Sequence, residues 1–517
     1  MATPVVTVAQ MRAIDTAAIR GDTAVGWGYM RRAAEGLARE ARGLLPSAGR
    51  AAVVCGKGNN GGDGYAAGAL LYHAGFRVVA MGLCGRDELA GEALAAFDEC
   101  ARAGAEIRRV KGAADLRDLG QFDLVIDAVL GSGLSGNPSG LAAAAIEAMN
   151  ACGKPVVAAD TPSGLDCDTG TPGSPCVRAA LTVTMGFAKL GQLFHPGRAC
   201  VGRLVVQDLS YPADIVARHA GRVYRPTAAD LRPLLPPRRP GGSKFDHGVV
   251  VMAAGSRGML GSATLASTAA LRSGCGMVHA AVASGILDVL AAKVTEVVLH
   301  AMPQTRAGSL SATAHDGIAR LAERAQCACI GPGLSHDPST LRLVRRLVAT
   351  LACPVVLDAD GINAYKGCGA ELADHRAPLA ITPHAGEWER LFGAMPPRPA
   401  EMVEQLRRRA SECRMTVLFK GSPTVVAVPD GDVYVLDVGN SGLATAGSGD
   451  VLTGLIAGLA AQGAALEHAA LLGCWLHGRS ADLAAAGLTE YCLIASDLLA
   501  HLPGAFRELP GQPAPAA

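Results

Sequence analysis

The chain has 517 residues, of which 50% are apolar and 18% are charged, and its net charge is +1. A single hydrophobic core rarely grows past about 250–300 residues, so this length predicts two to four domains. Without an excess of either charge, the composition gives no sign of a nucleic-acid or membrane-surface partner. No apolar stretch reaches the roughly 18 residues that a membrane span needs.

The 15 cysteines are scattered and form no Cys-x-x-Cys pair and no zinc-binding spacing. The N-terminus lacks the basic segment and apolar run of a signal peptide. We therefore expect a cytoplasmic protein whose thiols are free.

The first half alternates strands and helices after a helical stretch over residues 7–44. A short apolar strand, Ala51–Cys55, runs into the turn Gly56-Lys-Gly-Asn-Asn-Gly-Gly-Asp-Gly64 and then into an Ala/Leu-rich helix. Strand, Gly-rich turn and helix in this order are typical of a phosphate- or dinucleotide-binding loop. Its asparagines and aspartate can also bind ribose hydroxyls or a monovalent cation. A plain Asn/Gly turn is the alternative.

Two later strands in this half end in acids. Asp123–Asp127 precedes the Gly-rich stretch 131–136, and Pro155–Asp160 precedes Thr161-Pro-Ser-Gly-Leu-Asp166. Parallel strands bring their carboxyl ends to one edge of a sheet, where ligands bind in open α/β folds. The sequence therefore predicts a ligand site at this edge, although each aspartate alone could simply cap the next helix.

Residues 223–245 break the alternation, because they are rich in proline, glycine and arginine and lack apolar periodicity. We place a linker there, between a domain at 1–222 and a second domain at 246–505. The last residues, 506–517, are predicted to be a disordered tail.

The second half again alternates strands and glycine or acidic turns. A strand at 248–255 precedes a helix at 261–273, and a strand at 354–360 ends in two acids. Near the end, Asn440–Gly454 combines glycines and small hydroxyl residues with Asp450 and then an apolar helical run. Unpaired N–H groups at such a helix N-terminus attract anions. A carboxylate there is suited to act as a base for a hydroxyl that attacks a phosphoryl group. The alternative is that Asp450 only caps the helix.

Three motifs of the second half resemble the ribokinase-like fold and, more narrowly, the ADP/ATP-dependent NAD(P)H-hydrate dehydratases. They are Thr382-Pro-His-Ala-Gly-Glu387, Phe419-Lys-Gly-Ser-Pro-Thr424 and Ala444-Thr-Ala-Gly-Ser-Gly-Asp-Val-Leu-Thr-Gly454. The first half resembles the NAD(P)H-hydrate epimerase domain through the loops that begin at Gly58, Asp127 and Asp160. The resemblance covers about residues 8–503 and implies an α/β chain with an N-terminal Rossmann-like three-layer domain and a ribokinase-like domain.

The resemblance also implies site residues. The hydrate site of the epimerase half would comprise Asn59, Asn60, Gly61, Gly62, Asp63, Gly131, Ser132, Gly133, Leu134, Ser135, Gly136, Asn137 and Asp160. Potassium would be held by Asn60, Asp127 and Ser163. The hydrate site of the dehydratase half would comprise Ala263, Gly333, His384 and Asp450. The adenine nucleotide would meet Lys420, Gly421, Ser422, Pro423, Thr424 and Gly449. Asp160 and Asp450 would be the catalytic residues.

The implied function is metabolite repair of R- and S-NAD(P)HX. The first half would interconvert the epimers, and the second would phosphorylate the C6 hydroxyl of the S form with ADP or ATP and Mg²⁺, so that elimination restores NAD(P)H. ADP is favoured only because the fused arrangement resembles the bacterial enzymes. We expect a homo-oligomer whose partners are small molecules.

Three positions depart from the family pattern: Ser243-Lys-Phe-Asp-His-Gly248 stands where His-Lys-Gly is frequent, Ser335 where glycine is common, and Ala385 where proline is common. These departures bear on affinity rather than reaction class. Two other functions stay open from the residues. One is a ribokinase-like kinase that phosphorylates a free alcohol, but this function would leave the first 220 residues without a role. The other is a non-enzymatic scaffold, which has no need of Asn60, Asp127 and Asp160 at one edge.

Overall fold

A computed structural model of the chain describes residues 2–134, 136–238 and 240–509. These residues form two compact units. The N-terminal unit comprises Pro4–Val223 with Arg398–Ala400, and the C-terminal unit comprises the chain from Tyr224 onward apart from that short insertion, together with Thr3. Among the described residues, no helix combines the length and apolarity required to cross a bilayer.

Within the described residues, the N-terminal unit contains nine strands and eight α-helices. The strands are β1 (Thr3–Val6), β2 (Arg50–Cys55), β3 (Arg77–Gly82), β4 (Glu106–Arg109), β5 (Leu124–Ala128), β6 (Val156–Ala159), β7 (Leu181–Met185), β8 (Ala188–Lys189) and β9 (Arg203–Gln207). The helices are α1 (Val8–Ile19), α2 (Thr23–Arg42), α3 (Asn59–His73), α4 (Gly91–Ala103), α5 (Gly140–Ala151), α6 (Leu190–Leu193), α7 (Arg198–Val201) and α8 (Ala213–His219).

Seven of these strands form a parallel sheet in the order β4-β3-β2-β5-β6-β7-β9. Successive residues of β2 enter different cores: Val53 packs in one cluster with residues of α2 and α3, and Val54 packs in another with Phe122 and Met149. This alternation places apolar layers on both faces of the sheet. The strand order reverses beside β2, whose neighbours are β3 and β5, and a crevice forms at such a switch point.

The C-terminal unit is built around strands β11–β19. The strands, with β10 at the unit boundary, are β10 (Val223–Arg225), β11 (Val249–Ala253), β12 (Met277–Ala283), β13 (Val298–Met302), β14 (Cys327–Ile330), β15 (Val355–Leu357), β16 (Leu379–Ile381), β17 (Thr416–Phe419), β18 (Thr424–Ala427) and β19 (Val433–Leu436). The order β13-β12-β11-β14-β15-β16-β17 is parallel, and β18 and β19 add an antiparallel hairpin.

Helices pack around this second sheet. They are α9 (Ala228–Leu231), α10 (Leu260–Arg272), α11 (Leu287–Ala291), α12 (His315–Ala322), α13 (Pro338–Thr350), α14 (Asp360–Asn363), α15 (Ala385–Phe392), α16 (Pro399–Glu412), α17 (Ser448–Ala461), α18 (Leu466–Leu488) and α19 (Ala495–Arg507).

Helices α10 and α17 pack with almost no side chain between them. A Cβ atom on Gly454 of α17 would lie 2.1 Å from the carbonyl oxygen of Ala266, and one on Gly458 would lie 2.1 Å from Ser273 Oγ. Glycine therefore sets the separation of the two helices. Since α17 carries Asp450 in its first turn, this packing also fixes where that carboxylate lies.

The predicted α/β class is confirmed, because each half contains a mainly parallel sheet and the first half has the Rossmann-like layers that the sequence predicts. Two boundary predictions need correction. Leu231 is buried in the C-terminal core, so part of the predicted 223–245 linker belongs to that unit. The predicted tail at 506–517 starts too early, because α19 reaches Arg507 and Leu509 is fully buried. Residues 510–517 and Ser135 lie outside the described residues.

Replacing Gly454 with alanine should destabilise the C-terminal unit by about 1–3 kcal/mol, because the added methyl group overpacks the contact with α10. Gly487→Ala is the matched control, since a Cβ at this position of α18 meets no atom within 4 Å and alanine favours a helix. Denaturant unfolding of both variants provides the measurement. Equal unfolding midpoints for Gly454→Ala and Gly487→Ala would contradict this account of the packing.

Candidate functional sites

A cavity of about 790 Å³ opens at the carboxyl edge of the N-terminal sheet. The loops after β2, β5, β6 and β7 supply one part of its wall, and α1, α2 and the segment before α8 supply another. Its polar lining residues are Arg12, Asp15, Tyr29, Lys57, Asn59, Asn60, Asp63, Glu92, Ser132, Asp160, Lys189 and Tyr211.

A buried ion pair joins Asp160 to Lys189 in this cavity. Lys189 Nζ lies 2.5 Å from Asp160 Oδ1 and 2.9 Å from Thr184 Oγ1, and the lysine side chain is only 1% exposed. Burial raises the pKa of Asp160, but the charge of Lys189 and a hydrogen bond from Ser132 lower it by a larger amount. The pKa of Asp160 is therefore below its ordinary value. Asp160 is therefore an ionised carboxylate at neutral pH.

Two other carboxyls of the cavity have the opposite character. Burial raises the pKa of Asp63 well above its usual range, and the nearby charges of Asp160 and Asp15 raise it further. Burial also raises the pKa of Asp15, which accepts a short hydrogen bond from the hydroxyl of Tyr211. The cavity thus combines one carboxylate whose pKa is lowered with two carboxyls whose pKa values are raised.

Two of the predicted cation ligands, Asp127 and Ser163, are hydrogen-bonded to each other, and the third, Asn60, lines the cavity. Ser163 donates its backbone N–H to Asp127 Oδ2 at 2.7 Å and its hydroxyl to Asp127 Oδ1 at 2.6 Å. Burial raises the pKa of Asp127 to about 6. Both amide atoms of the Asn60 side chain are buried, and neither has a hydrogen-bond partner among the residues that the structure describes.

The predicted hydrate-site residues of this unit fall into two groups. Asn59, Asn60, Asp63, Asp160 and the 131–134 stretch line the cavity. The other group does not line it, and comprises Gly61, Gly62, Gly136 and Asn137.

The second group has other contacts. A Cβ atom on Gly61 would lie 2.0 Å from the carbonyl oxygen of Gly56, and one on Gly62 would lie 2.6 Å from Met30 Cε. Asn137 accepts a hydrogen bond from the backbone of Ser174. The two glycines are therefore needed for close packing of the turn.

In the C-terminal unit, Asp450 lies in the first turn of α17. The N-cap residue of this helix, Gly447, has a φ of +90°. Burial raises the pKa of Asp450 to about 6, although a hydrogen bond with Ser262 acts in the opposite direction. The positive φ of Gly447 favours glycine, and this conformation turns the loop into the helix. Asp450 is therefore a half-buried carboxyl group whose pKa lies just below neutrality.

Lys420 lies on the same edge of this sheet. Its ammonium is 2.8 Å from Asp358 Oδ1 and 3.9 Å from Glu387 Oε2, and Asp358 is 2% exposed. Burial lowers the pKa of Lys420, but these carboxylates raise it above its ordinary value. Thr453 of α17 donates its hydroxyl to the second oxygen of Asp358 at 2.5 Å. A cationic group is thus fixed beside the start of α17.

The structure brings most predicted residues of this unit to one place. A Cβ on Gly449 would lie 3.4 Å from Lys420 Nζ, and one on Gly333 would lie 3.0 Å from the Cβ of Ser262, the partner of Asp450. Ala263 is buried next to Ser262 in α10. His384 caps α15 and forms a parallel bridge with Lys420. Residues 421–423 lie in the turn between β17 and β18, and Thr424 is the first residue of β18.

Comparisons with known proteins agree with both halves of the chain. Residues 250–503 match the family described as NAD(P)H-hydrate dehydratase, and residues 28–191 match the one described as YjeF-related protein N-terminus. The bifunctional NAD(P)H-hydrate repair enzyme Nnr of Moorella thermoacetica is 40% identical over 483 residues, which cover 92% of this chain and 91% of that protein. The chain belongs to this family of bifunctional NAD(P)H-hydrate repair enzymes.

Other members of this family and one solved structure are similar as well. The repair enzyme of Escherichia coli is 31% identical over 92% of this chain and 88% of its own length. The ADP/ATP-dependent NAD(P)H-hydrate dehydratase of Bacillus subtilis, co-crystallised with ATP and Mg²⁺, is 29% identical over 55% of this chain and 97% of that one, with a TM-score of 0.46. The family assignment made from the sequence motifs is confirmed.

Sequence reasoning missed several polar residues of the repair-enzyme sites. Lys189 and Tyr211 contact the predicted Asp160 and the unpredicted Asp15 in the N-terminal cavity. Asp358 and Ser262 contact Lys420 and Asp450 in the C-terminal unit. A signal existed for two of them: Lys189 is a lone lysine in an apolar run, and Asp358 ends a buried strand.

Replacing Lys189 with methionine should lower the free energy of unfolding of the N-terminal unit at pH 7 by about 3–5 kcal/mol, because it leaves the Asp160 carboxylate buried without its counter-charge. The loss should shrink as the pH falls, since protonation of Asp160 then removes the unpaired charge. Lys111→Met at an exposed position is the control. Chemical denaturation at pH 7 and pH 5 tests this expectation, and a pH-independent difference would refute it.

Proposed function

We propose that this chain repairs NAD(P)H hydrates, with the N-terminal cavity interconverting the R and S epimers and the C-terminal site dehydrating the S epimer at the expense of ADP or ATP. The observation that carries the dehydratase part is the position of Asp450. It is a half-buried carboxylate with a pKa of about 6 in the first turn of α17, on the same sheet edge as the Lys420–Asp358 pair.

Asp450 is suited to take the proton from the C6 hydroxyl of the hydrate. A base with a pKa slightly below the working pH is mostly ionised and still accepts a proton readily. The activated hydroxyl attacks the terminal phosphoryl group of the nucleotide, and the N–H groups at the start of α17 stabilise the charge that develops. The phosphate ester is then a better leaving group than hydroxide, so its elimination yields the reduced nicotinamide.

The nucleotide is proposed to lie over Lys420, the 421–424 turn and Gly449. Gly449 has no side chain between its backbone and the Lys420 ammonium, so phosphate oxygens can approach both. The ammonium supplies a fixed positive charge. Mg²⁺ fits a site of this kind through the phosphates of the nucleotide, because it retains several waters and needs only one or two protein carboxylates. When bound, it would neutralise charge on the transferring phosphoryl group.

Potassium is proposed to be held by Asn60, Asp127 and Ser163. The two unpartnered amide atoms of Asn60 support this proposal, because a buried carbonyl oxygen without a donor destabilises the fold unless a cation or water meets it. Carboxylate, amide and hydroxyl oxygens are ligands suited to a hard cation. The bound ion would hold the loops after β2 and β5 in place beside the cavity.

Asp450→Asn should slow dehydration of S-NADHX by about 100-fold or more, since amide nitrogen cannot accept the hydroxyl proton. Epimerisation should be unchanged, because it takes place in the other unit. The measurement is the absorbance of NADH formed from S-NADHX with ADP, and separately with ATP, together with chromatography of the two epimers. Dehydration by Asp450→Asn at the wild-type rate would refute the assignment of the base.

The pH dependence of the wild-type rate provides a second test of Asp450 as the base. In the wild-type protein kcat/KM for the pure S epimer should rise with pH through about 6 and then level off, because Asp450 must be ionised to act as a base. A stable phosphorylated product without NADH would instead favour the ribokinase-like kinase.

Removal of potassium should lower the thermal unfolding midpoint of the N-terminal unit. A ligand that binds only the folded state stabilises it by mass action. Melting curves in KCl and in the same concentration of choline chloride test this, with NaCl as the control for cation selectivity. Asn60→Ala should abolish the difference between the two salts. The site would be refuted if the unfolding midpoint of the wild-type protein were the same in KCl and in choline chloride. It would also be refuted if the midpoint of Asn60→Ala still differed between the two salts.

A further inference from the structure

The N-terminal cavity contains a second polar pair besides Asp160 and Lys189. Asp15 lies in α1, and Tyr211 lies in the segment between β9 and α8. The Tyr211 hydroxyl donates a short hydrogen bond to Asp15 Oδ1, and both residues line the cavity. None of the motifs that identify the family contains either residue.

The ring of Tyr211 is fixed by contacts on several sides. It stacks on Tyr29 with ring centroids 4.7 Å apart and lies 6.1 Å from the ring of Phe187. A Cβ on Gly186 would come within 2.9 Å of the Tyr211 ring, so a side chain at this position would clash with the ring. Gly186 follows Met185, whose backbone N–H donates to Asp160. The phenol is therefore held rigidly at the same end of β7 as the Asp160 carboxylate.

The two pairs shift the pKa values of their carboxyl groups in opposite directions. Asp160 is held ionised by the ammonium of Lys189. Asp15 faces a phenol instead of an ammonium, and burial raises its pKa more than this hydrogen bond lowers it. Two groups whose environments shift their proton affinities in opposite directions are the usual arrangement for an acid and a base in one site.

We propose that Asp15 and Tyr211 form a catalytic acid–base pair for epimerisation, acting on the face of the hydrate that Asp160 does not serve. This inference rests on the proposed epimerase function. Inversion at a carbon that carries a hydroxyl needs a proton donor where the hydroxyl leaves and a proton acceptor where water enters. A single carboxylate on one side of the ring cannot serve both faces.

The proton transfers balance without any further reagent than water. In the acid form of the pair Asp15 carries a proton, and the Tyr211 hydroxyl turns from Asp15 to the C6 hydroxyl, gives it its proton and receives the proton of Asp15. The C6–O bond breaks, water leaves, and the lone pair of the ring nitrogen forms the C=N bond. Water then adds to the other face of C6 and loses a proton to Asp160. In the reverse direction Asp160 is the acid and the Asp15–Tyr211 pair is the base, so exchange with solvent restores either form.

Asp63 is the competing candidate for the donor, because it lines the same cavity and burial also favours its protonated form. Two differences favour the Asp15–Tyr211 pair. Its phenol bonds directly to a carboxyl that can replace the lost proton, and its orientation is fixed by stacked rings. Asp63 lies in α3 beside the proposed cation site and is suited to bind a polar group of the hydrate.

Tyr211→Phe should lower kcat for epimerisation by about 100-fold or more and change KM by less than about three-fold, since the ring stays in place and only the proton donor is lost. Pure S-NADHX is incubated without nucleotide, and R-NADHX is followed by chromatography. Asp15→Asn should give a similar loss. Tyr72→Phe, which removes an exposed hydroxyl at the end of α3, should keep the wild-type rate.

Dehydration of S-NADHX by the same Tyr211→Phe protein reports on folding of the chain, and its thermal unfolding midpoint reports on the N-terminal unit. If the wild-type protein does not epimerise S-NADHX, the proposed epimerase function fails. If the wild-type protein epimerises and Tyr211→Phe does so within about three-fold of its rate, the acid–base pair is overturned. The pair is likewise overturned if only KM rises, or if Asp63→Asn loses the activity while Tyr211→Phe keeps it.

Discussion

Both sites depend on one kind of interaction, a lysine ammonium bonded to an aspartate at the carboxyl edge of a parallel sheet. Lys189 lies 2.5 Å from Asp160 in the N-terminal unit, and Lys420 lies 2.8 Å from Asp358 in the C-terminal unit. An unpaired charge at such depth would strongly destabilise the fold, so each pair constrains the loops that carry it. The pairs keep one carboxylate ionised in a setting where burial drives other carboxyls, such as Asp63, toward the neutral form.

Close backbone packing then fixes the positions of Asp450 and Asn60, which have no lysine partner of this kind in the described part of the chain. Gly454 and Gly458 let α17 approach α10 so closely that Ser262 of α10 reaches Asp450 in the first turn of α17. Gly61 and Gly62 likewise allow close packing at the start of α3, after β2. This packing places Asn60 beside Gly131. Small residues at these positions are therefore part of the sites, although they supply no reacting group.

The sequence predicts features that are local in the chain and misses contacts between distant segments. The Gly-rich turn before α3 and the helix start at Asp450 each lie within a few residues, and periodicity gives the buried strands beside them. Asp15 and Tyr211 are 196 positions apart, and Lys420 and Asp358 are 62 apart, so only the folded topology brings them together. Edge strands such as β4 and β13 were missed because exposed residues interrupt their apolar pattern.

The division of protonation states explains why two chemistries can share one chain without sharing a site. In the C-terminal unit burial raises the pKa of Asp450 to about 6, and this carboxyl lies at a helix N-terminus near Lys420, an arrangement suited to moving negative charge onto a phosphoryl group. In the N-terminal cavity the ionised Asp160 faces Asp15 and Asp63, both with raised pKa values, so protons can be both given and taken there. Charge at the two sheet edges thus favours nucleotide-dependent chemistry at one and proton exchange at the other.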